Sequence, residues 1–316
     1  MCPRICLTTL TSAPDAFAGR VKLKTWRHAA LGEAENKSVP DRTAGDWLCS
    51  VRDNVSPLLP STIPQVPTAS QDIHRHVLSH LSSARAATYL AATTSATEAV
   101  KLYRWNTEAS GALHEVLGVV EVVVRNAIDG QLRAWNSTRP ARPGSPPYTD
   151  EWIANPARPV WDFLNPKQRG GGRHSAYQSA LGRALSDRDA RRASHPRAGA
   201  PVTHDDLVAH LTFGTWVSLL PRRQLNGTVG PPGNVVLWKQ ALCKAFPNHP
   251  NPTVIRFWLS NLRTARNRLA HVEPLLDFDL IGLNRMAIRV VRAIDTPVGD
   301  WLAGISRVAE VVKRRP

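Results

Sequence analysis

The sequence predicts an all-α fold, and three features of its apolar pattern support that prediction. From Ile73 onward, apolar residues recur at intervals of three and four, the spacing that forms one face of a helix. Residues 111–136 are apolar almost all round, and this stretch is too long for a strand. Alternation of apolar and polar residues, which marks a half-buried strand, is nearly missing. We therefore expect a helical bundle with long inserted loops.

The helices are predicted in order along the chain. Leu78, Leu81 and Ala84 begin the first amphipathic face, and a second helix follows at residues 94–106. The apolar helix at residues 111–136 belongs in the middle of the bundle. Residues 137–172 are rich in proline and glycine and are expected to form loops. Further helices are predicted at residues 175–185, 206–220, 253–271, 280–293 and 298–312.

Residues 1–70 differ in character from the rest of the chain. They carry scattered proline, serine and threonine without sustained periodicity, so we expect a poorly ordered extension before a helical domain at residues 71–316. The four cysteines, Cys2, Cys6, Cys49 and Cys243, lack the spacing of a metal site and suit a reducing cytoplasm. No apolar run is long enough to span a membrane. We therefore expect a cytoplasmic protein without metal or cofactor.

The chain is strongly basic, with a formal net charge of +15. A polyanion partner such as RNA, a solvated basic surface and an anionic membrane surface are the three explanations. The sequence has no lipidation motif and no long basic amphipathic arm, so we favour the polyanion. Arg285, Arg289 and Arg292 form a stripe on one predicted helix, which fits either phosphate contacts or a solvated face.

A short basic motif near the C-terminus contains the groups that can break a phosphodiester. It reads Arg266-Asn267-Arg268-Leu269-Ala270-His271, and Arg263 precedes it by one turn. Arginine neutralises phosphate charge, and histidine transfers protons near neutral pH. Asn267 and Arg268 share the helix face of His271, whereas Arg266 lies about 140° away. The motif equally fits an ordinary basic helix that ends in a capping histidine.

A second polar patch lies within the apolar helix at residues 111–136. Glu121 and Arg125 are four residues apart, and Asn126 follows. Charged groups on such a helix need a partner or a cavity. They could pair with each other. Alternatively, they face the motif helix across a cleft, where Glu121 orients Arg266 or His271 and where Arg125 or Asn126 contacts phosphate.

These residues resemble the HEPN domains and, more narrowly, the Abi-like (abortive infection) proteins of bacteria. The hexapeptide at residues 266–271 fits the R-N-x-x-x-H form of the RX4–6H motif of HEPN domains. The resemblance extends over residues 73–316. Other segments that carry it are Tyr103-Arg104-Trp105-Asn106, Glu121-Val122-Val123-Val124-Arg125-Asn126-Ala127-Ile128-Asp129, Phe213-Gly214-Thr215-Trp216 and Glu273-Pro274.

The resemblance implies a HEPN-like helical bundle that forms a homodimer, with an active cleft shared between two motif helices. Many HEPN proteins are metal-independent endoribonucleases that act as toxins or in phage defence, so an antitoxin is a further candidate partner. Arg266 and His271 match the defining pair, Asn267 the polar position between them, and Glu121 the upstream acidic residue. Arg125, Asn126, Arg263 and Arg268 are the expected substrate contacts.

The implied reaction is attack of the RNA 2′-OH on phosphorus, with a 2′,3′-cyclic phosphate as product. His271 is expected to transfer protons and Arg266 to stabilise the phosphorane. The chain departs from the family pattern at Val272, where a second histidine is common. A non-catalytic RNA-binding HEPN module and a dimeric interaction protein remain the alternatives. Five tryptophans, by contrast, are expected in the core: Trp105, Trp216, Trp238, Trp258 and Trp301.

Overall fold

A computed structural model describes residues 71–221 and 232–316, which belong to one unit of the chain, Gln65–Pro316. The predicted extension at residues 1–70 lies outside the described residues. Within the described ranges the protein is helical and has no strand, only an isolated bridge between Lys167 and Arg173. The all-α prediction is therefore confirmed there. None of these helices is long and apolar enough to cross a membrane.

The α-helices are α1 (Gln71–Ser79), α2 (Ser83–Ala91), α3 (Ala96–Ser137), α4 (Val160–Leu164), α5 (Ala176–Asp189), α6 (His204–His210), α7 (Phe213–Ser218), α8 (Pro232–Gln240), α9 (Pro252–Ala270), α10 (Leu280–Ile294), α11 (Thr296–Ile305) and α12 (Val308–Lys313). A 3₁₀ turn, Leu242–Ala245, follows α8.

Helix α3 is the centre of the bundle and packs against α1, α2, α7, α9, α10 and α12. The two helices predicted at residues 94–106 and 111–136 are one continuous helix, so the predicted break was wrong. Gly111 is exposed and causes no interruption, because buried Ala109, Ala112 and Leu113 hold this stretch against the core. The helix is not buried all round either, since Val122 is 43% exposed.

Buried polar side chains tie α3 to the loops around it. Asn136 donates two hydrogen bonds to the carbonyls of Thr149 and Asn155 and accepts one from the amide of Ala157, which fixes the long loop after α3. Asn106 accepts a hydrogen bond from the amide of Leu275 at 2.7 Å. The bonds to the amides of Ala157 and Leu275 are buried and satisfy backbone groups that would otherwise lack a partner.

Two other predicted helices are each divided in the structure. The helix predicted at residues 206–220 is broken between α6 and α7, where Thr212 takes an extended conformation and its hydroxyl accepts a hydrogen bond from the amide of Thr215. This side chain begins a new helix, as N-cap threonines do. The helix predicted at residues 298–312 is divided into α11 and α12 by extended Ser306.

The tryptophan and arginine predictions have mixed outcomes. Trp105, Trp216 and Trp238 are buried and Trp258 is half-buried, but Trp301 is 55% exposed, so the core prediction was wrong for it. The arginines at positions 285, 289 and 292 are all exposed. Arg292 is engaged by Asp300 at 2.7 Å, so its charge is partly neutralised.

An ion-pair cluster holds the start of α6. Asp206 closes a capping box with Thr203 and accepts hydrogen bonds from both terminal nitrogens of Arg197, at 2.8 and 2.6 Å. Arg191 approaches the same carboxylate at 3.4 Å. The hydrogen bonds from Arg197, followed by those from Thr203, hold the pKa of Asp206 well below its ordinary value of 3.8.

Replacing Asp206 by asparagine should therefore destabilise the fold in a pH-dependent way. A depressed folded-state pKa contributes stability that is present above pH 3.8 and declines as the pH falls below it. We expect a melting temperature about 3 °C below that of the wild type at both pH 7 and pH 5. Thermal unfolding should show a smaller difference at pH 3. A difference as large at pH 3 as at pH 7 would contradict this assignment.

Candidate functional site

Helix α9 carries the basic motif, and its own sequence fixes where it begins. The Asn251 side chain accepts hydrogen bonds from the amides of Thr253 and Val254, and Pro252 occupies the first turn, where its missing N–H costs nothing. The buried stripe of the helix is Ile255, Leu259, Leu262, Ala265 and Leu269. This stripe packs α9 against α3, α7 and α10 and leaves the motif arginines on the flanks.

The motif helix ends at its histidine in a Schellman motif. The amide of Glu273 donates to the carbonyl of Arg268, and the amide of Val272 donates to the carbonyl of Leu269. His271 is the C-cap residue, and its side chain is exposed. Val272 occupies the left-handed position with φ of 52°. Glycine is the usual residue there, and a β-branched side chain is strained.

Replacing Val272 by glycine should stabilise the protein. The substitution removes the steric cost of the left-handed conformation, and only part of this gain is offset by the greater flexibility of glycine in the unfolded chain. We expect the free energy of unfolding to rise by about 1 kcal/mol. Urea denaturation would measure it, with Val272→Ala as the matched control because alanine keeps the Cβ. A loss of stability in Val272→Gly would contradict the strain assignment.

The structure brings together Glu121 of α3 and Arg266 of α9. The Oε2 atom of Glu121 lies 3.8 Å from Nε of Arg266, and both side chains are only partly exposed. No ion pair joins Glu121 to Arg125 within the described ranges, so the alternative of a pair internal to α3 is not the arrangement found. At this distance the carboxylate attracts the guanidinium electrostatically without a hydrogen bond, on the side of Nε, and leaves its two terminal nitrogens for another acceptor.

This pair lies at the edge of a cleft with a volume of about 400 Å³. Its charged, imidazole and amide side chains come from four elements: Glu121 of α3, Arg183 of α5, His210 of α6, and Arg263, Arg266 and Asn267 of α9. Three guanidiniums thus face one carboxylate, and neither Arg183 nor Arg263 is in an ion pair within the described part of the chain. The excess positive charge favours an anionic ligand of phosphate type.

The corner between α6 and α7 forms the floor of the cleft. It contains Leu211, Thr212, Phe213 and Gly214, of which Phe213 and Gly214 belong to a segment on which the resemblance to the Abi-like proteins rests. The Arg263 side chain lies across Gly214, with Nη1 3.5 Å from the position that a Cβ would take. This is an ordinary van der Waals distance, so Arg263 packs on the α6–α7 corner at the cleft.

The other predicted site residues do not line this cleft. Arg268 pairs with Glu273 at 3.0 Å and lies over the Phe278 ring at 4.9 Å, although periodicity placed it beside His271. The backbone carbonyl of His271 accepts a hydrogen bond from Arg85 at 3.4 Å. On α3, Asn126 is exposed, and Nε of Arg125 is buried without a hydrogen-bond partner among the described residues.

Sequence reasoning missed several residues of this region. His210 and Arg183 line both this cleft and a second cavity of about 360 Å³, which also contains His174 and Ser179. Nε2 of His210 lies 3.2 Å from Oδ2 of Asp187 on α5. No local sequence motif predicts this pair, because the two residues meet only when α5 packs against α6.

The described residues contain no cluster of histidine, cysteine, aspartate or glutamate suited to a metal ion. Comparison of the chain with known protein families, curated proteins and solved structures finds no match. A functional proposal therefore depends on the residues of the cleft, which include Arg266 and Asn267 of the motif but not His271.

Proposed function

We propose that this protein is a metal-independent endoribonuclease of the Abi-like HEPN type, acting in abortive infection or phage defence. The observation that carries the proposal is the cleft in which Glu121 forms an ion pair with Arg266 beside Arg183 and Arg263. A phosphodiester carries one negative charge, and the transition state of its cleavage carries more. Converging guanidiniums therefore stabilise the transition state more than the substrate.

The proposed reaction assigns a role to each element of the motif. The RNA 2′-oxygen attacks phosphorus, Arg266 binds the non-bridging oxygens, and Asn267 donates hydrogen bonds to the same phosphate or its ribose. His271 protonates the departing 5′-oxygen. The products are a 2′,3′-cyclic phosphate and a 5′-hydroxyl. This chemistry needs a 2′-OH and a proton donor but no metal ion.

The position of His271 bears on the oligomeric state of the proposed enzyme. Its side chain is exposed at the end of α9 and does not line the cleft of its own protomer. We propose that the active site is shared by a homodimer, in which two motif helices meet and His271 faces the phosphate from a second copy. A cytoplasmic toxin of this kind would be restrained by an antitoxin.

Cleavage of labelled RNA in EDTA tests the proposal. The wild type should cleave it to fragments with 2′,3′-cyclic phosphate ends, and His271→Ala should lower the rate by about 100-fold or more. An all-deoxy oligonucleotide of the same sequence should stay intact, because it has no 2′-OH. Loss of activity in EDTA, or cleavage of the DNA, would contradict the mechanism.

A second candidate is a non-catalytic RNA-binding module, which the exposed position of His271 outside the cleft favours. Binding without cleavage would support this candidate, with affinity that falls steeply as salt rises. No binding to RNA at low salt would exclude both candidates.

A further inference from the structure

The cleft has one histidine in its lining, and it is His210, which the motif does not include. It lies in the last turn of α6, and Nε2 faces the Asp187 carboxylate at 3.2 Å. This contact is an ion-pair distance without the geometry of a hydrogen bond, so the carboxylate attracts the imidazole and does not fix which ring nitrogen carries the proton. Within the described residues, Nδ1 has no hydrogen-bond partner.

We propose that His210 is a catalytic residue of the RNA site and that Asp187 is its positioning residue. The inference rests on the proposed function and extends it. His210 lies in the wall common to the two cavities, beside Arg183, which also lines both. A phosphate bound by Arg183, Arg263 and Arg266 would therefore have this imidazole at its side.

The second cavity supplies room for a nucleoside next to that phosphate. Its volume of about 360 Å³ is within the range of small-ligand pockets. Phe163, Pro166 and Leu211 give it apolar surface for a base, while His174 and Ser179 offer hydrogen bonds. A chain that passes from this cavity into the guanidinium cluster crosses His210, which would bring a ribose 2′-OH close to the imidazole.

A purely structural role explains the His210–Asp187 pair less well. The Asp187 side chain is 65% exposed, and an exposed pair of this kind contributes little to stability. The start of α6 is already tied to Arg191, just after α5, through Asp206, whose side chain is only 12% exposed. The fold therefore does not need Asp187 to hold α6, whereas a carboxylate beside a general base stabilises the imidazolium that forms when the base accepts a proton.

Two histidines together account for the proton transfers of the chemical step. His210 removes the proton of the 2′-OH as the 2′-oxygen–phosphorus bond forms. The phosphorus–5′-oxygen bond breaks, and the 5′-oxygen takes a proton from His271, as in the proposed function. One histidine gains a proton and the other loses one, and exchange with water restores both.

The experiment compares cleavage and binding in His210→Gln, His210→Gly and Asp187→Asn. His114→Gln is the matched control, because His114 is exposed on α3 and lines neither cavity. Cleavage of labelled RNA in EDTA gives kcat and KM, and a 2′-O-methyl RNA of the same sequence gives the affinity without reaction. Circular dichroism establishes that each variant is folded.

We expect His210→Gln to lower kcat about 100-fold while its affinity for 2′-O-methyl RNA stays near that of the wild type. Added imidazole should restore part of the activity of His210→Gly. Asp187→Asn, an exposed substitution that leaves the fold intact, should lower kcat by a smaller factor without changing KM. His114→Gln should behave as the wild type.

The results distinguish a wrong role for His210 from a wrong proposed function. If the wild type cleaves RNA and His210→Gln does so at an undiminished rate, His210 has no catalytic role and the proposed function stands. If His210→Gln loses affinity as much as rate, the residue binds but does not transfer a proton, and the inference is overturned. If the wild type cleaves no RNA, both are overturned.

Discussion

Replacing Arg266 by lysine is expected to lower RNA cleavage by about 10²–10³-fold, a typical cost of removing one transition-state donor. Lysine keeps the positive charge but loses the planar guanidinium. In the wild type, Glu121 lies 3.8 Å from Nε, which leaves both terminal nitrogens for two phosphate oxygens. An ammonium group cannot contact the carboxylate and two phosphate oxygens in that geometry. The loss should fall on kcat more than on KM, because the bonds strengthen as charge develops on phosphorus.

Two further variants separate geometry from charge at this position. The slope of the logarithm of the RNA-binding constant against the logarithm of the salt concentration reports the number of phosphate contacts. Arg266→Ala should make this slope shallower by about one, whereas Arg266→Lys should leave it unchanged. Arg307→Lys is the matched control, because Arg307 pairs with Glu115 on the surface and lines neither cavity. If Arg266→Lys cleaves RNA as fast as Arg307→Lys, the guanidinium is not part of the reaction.

Local signals in the sequence predict the motif helix well. Its predicted limits, residues 253–271, differ by one residue at each end from α9, Pro252–Ala270. The signals that end it lie within a few residues, since Pro274 restricts Glu273 and disfavours further helix. The break predicted before Gly111 is not found, because tertiary packing rather than a local signal decides the structure there. A glycine weakens a helix by about 1 kcal/mol, which tertiary packing on both sides of α3 overrides.

The cleft could be predicted only in part. Glu121 and Arg266 are both conspicuous in the sequence, one as a charge on an apolar helix and one in a motif, so their proximity could be expected. No sequence pattern singles out His210 or Asp187, and their contact exists only because α5 packs on α6. Periodicity also misassigned Arg268, because the Schellman turn brings Glu273 back to it. Helical spacing takes no account of the residues beyond the last turn.

The largest effect on stability is expected from replacing Asp129, a buried carboxylate on α3. Its Oδ1 accepts hydrogen bonds from Nε1 of Trp152 at 2.7 Å and from Nε2 of His204 at 2.9 Å. Asp129→Ala leaves both donors buried without an acceptor and opens a cavity around them. We expect the free energy of unfolding to fall by about 3–5 kcal/mol. Urea denaturation at pH 7 would measure this loss.

A nearby exposed carboxylate provides the control for Asp129. Asp150 contacts Arg133 at 3.2 Å, as a surface ion pair with 58% of its side chain exposed. Asp150→Asn should change the free energy of unfolding by less than about 1 kcal/mol. If Asp129→Ala is as stable as Asp150→Asn, the buried network does not hold the fold together.

The same substitution should loosen the cleft from a distance. His204 begins α6 and His210 ends it, so the Asp129 hydrogen bond anchors the short helix that carries the cleft histidine. A helix of this length has little stability of its own and depends on such tertiary contacts. Amide hydrogen exchange in Asp129→Ala should therefore accelerate in α6 more than in α10. Equal acceleration in both helices would show that Asp129 stabilises the bundle as a whole and does not control the cleft.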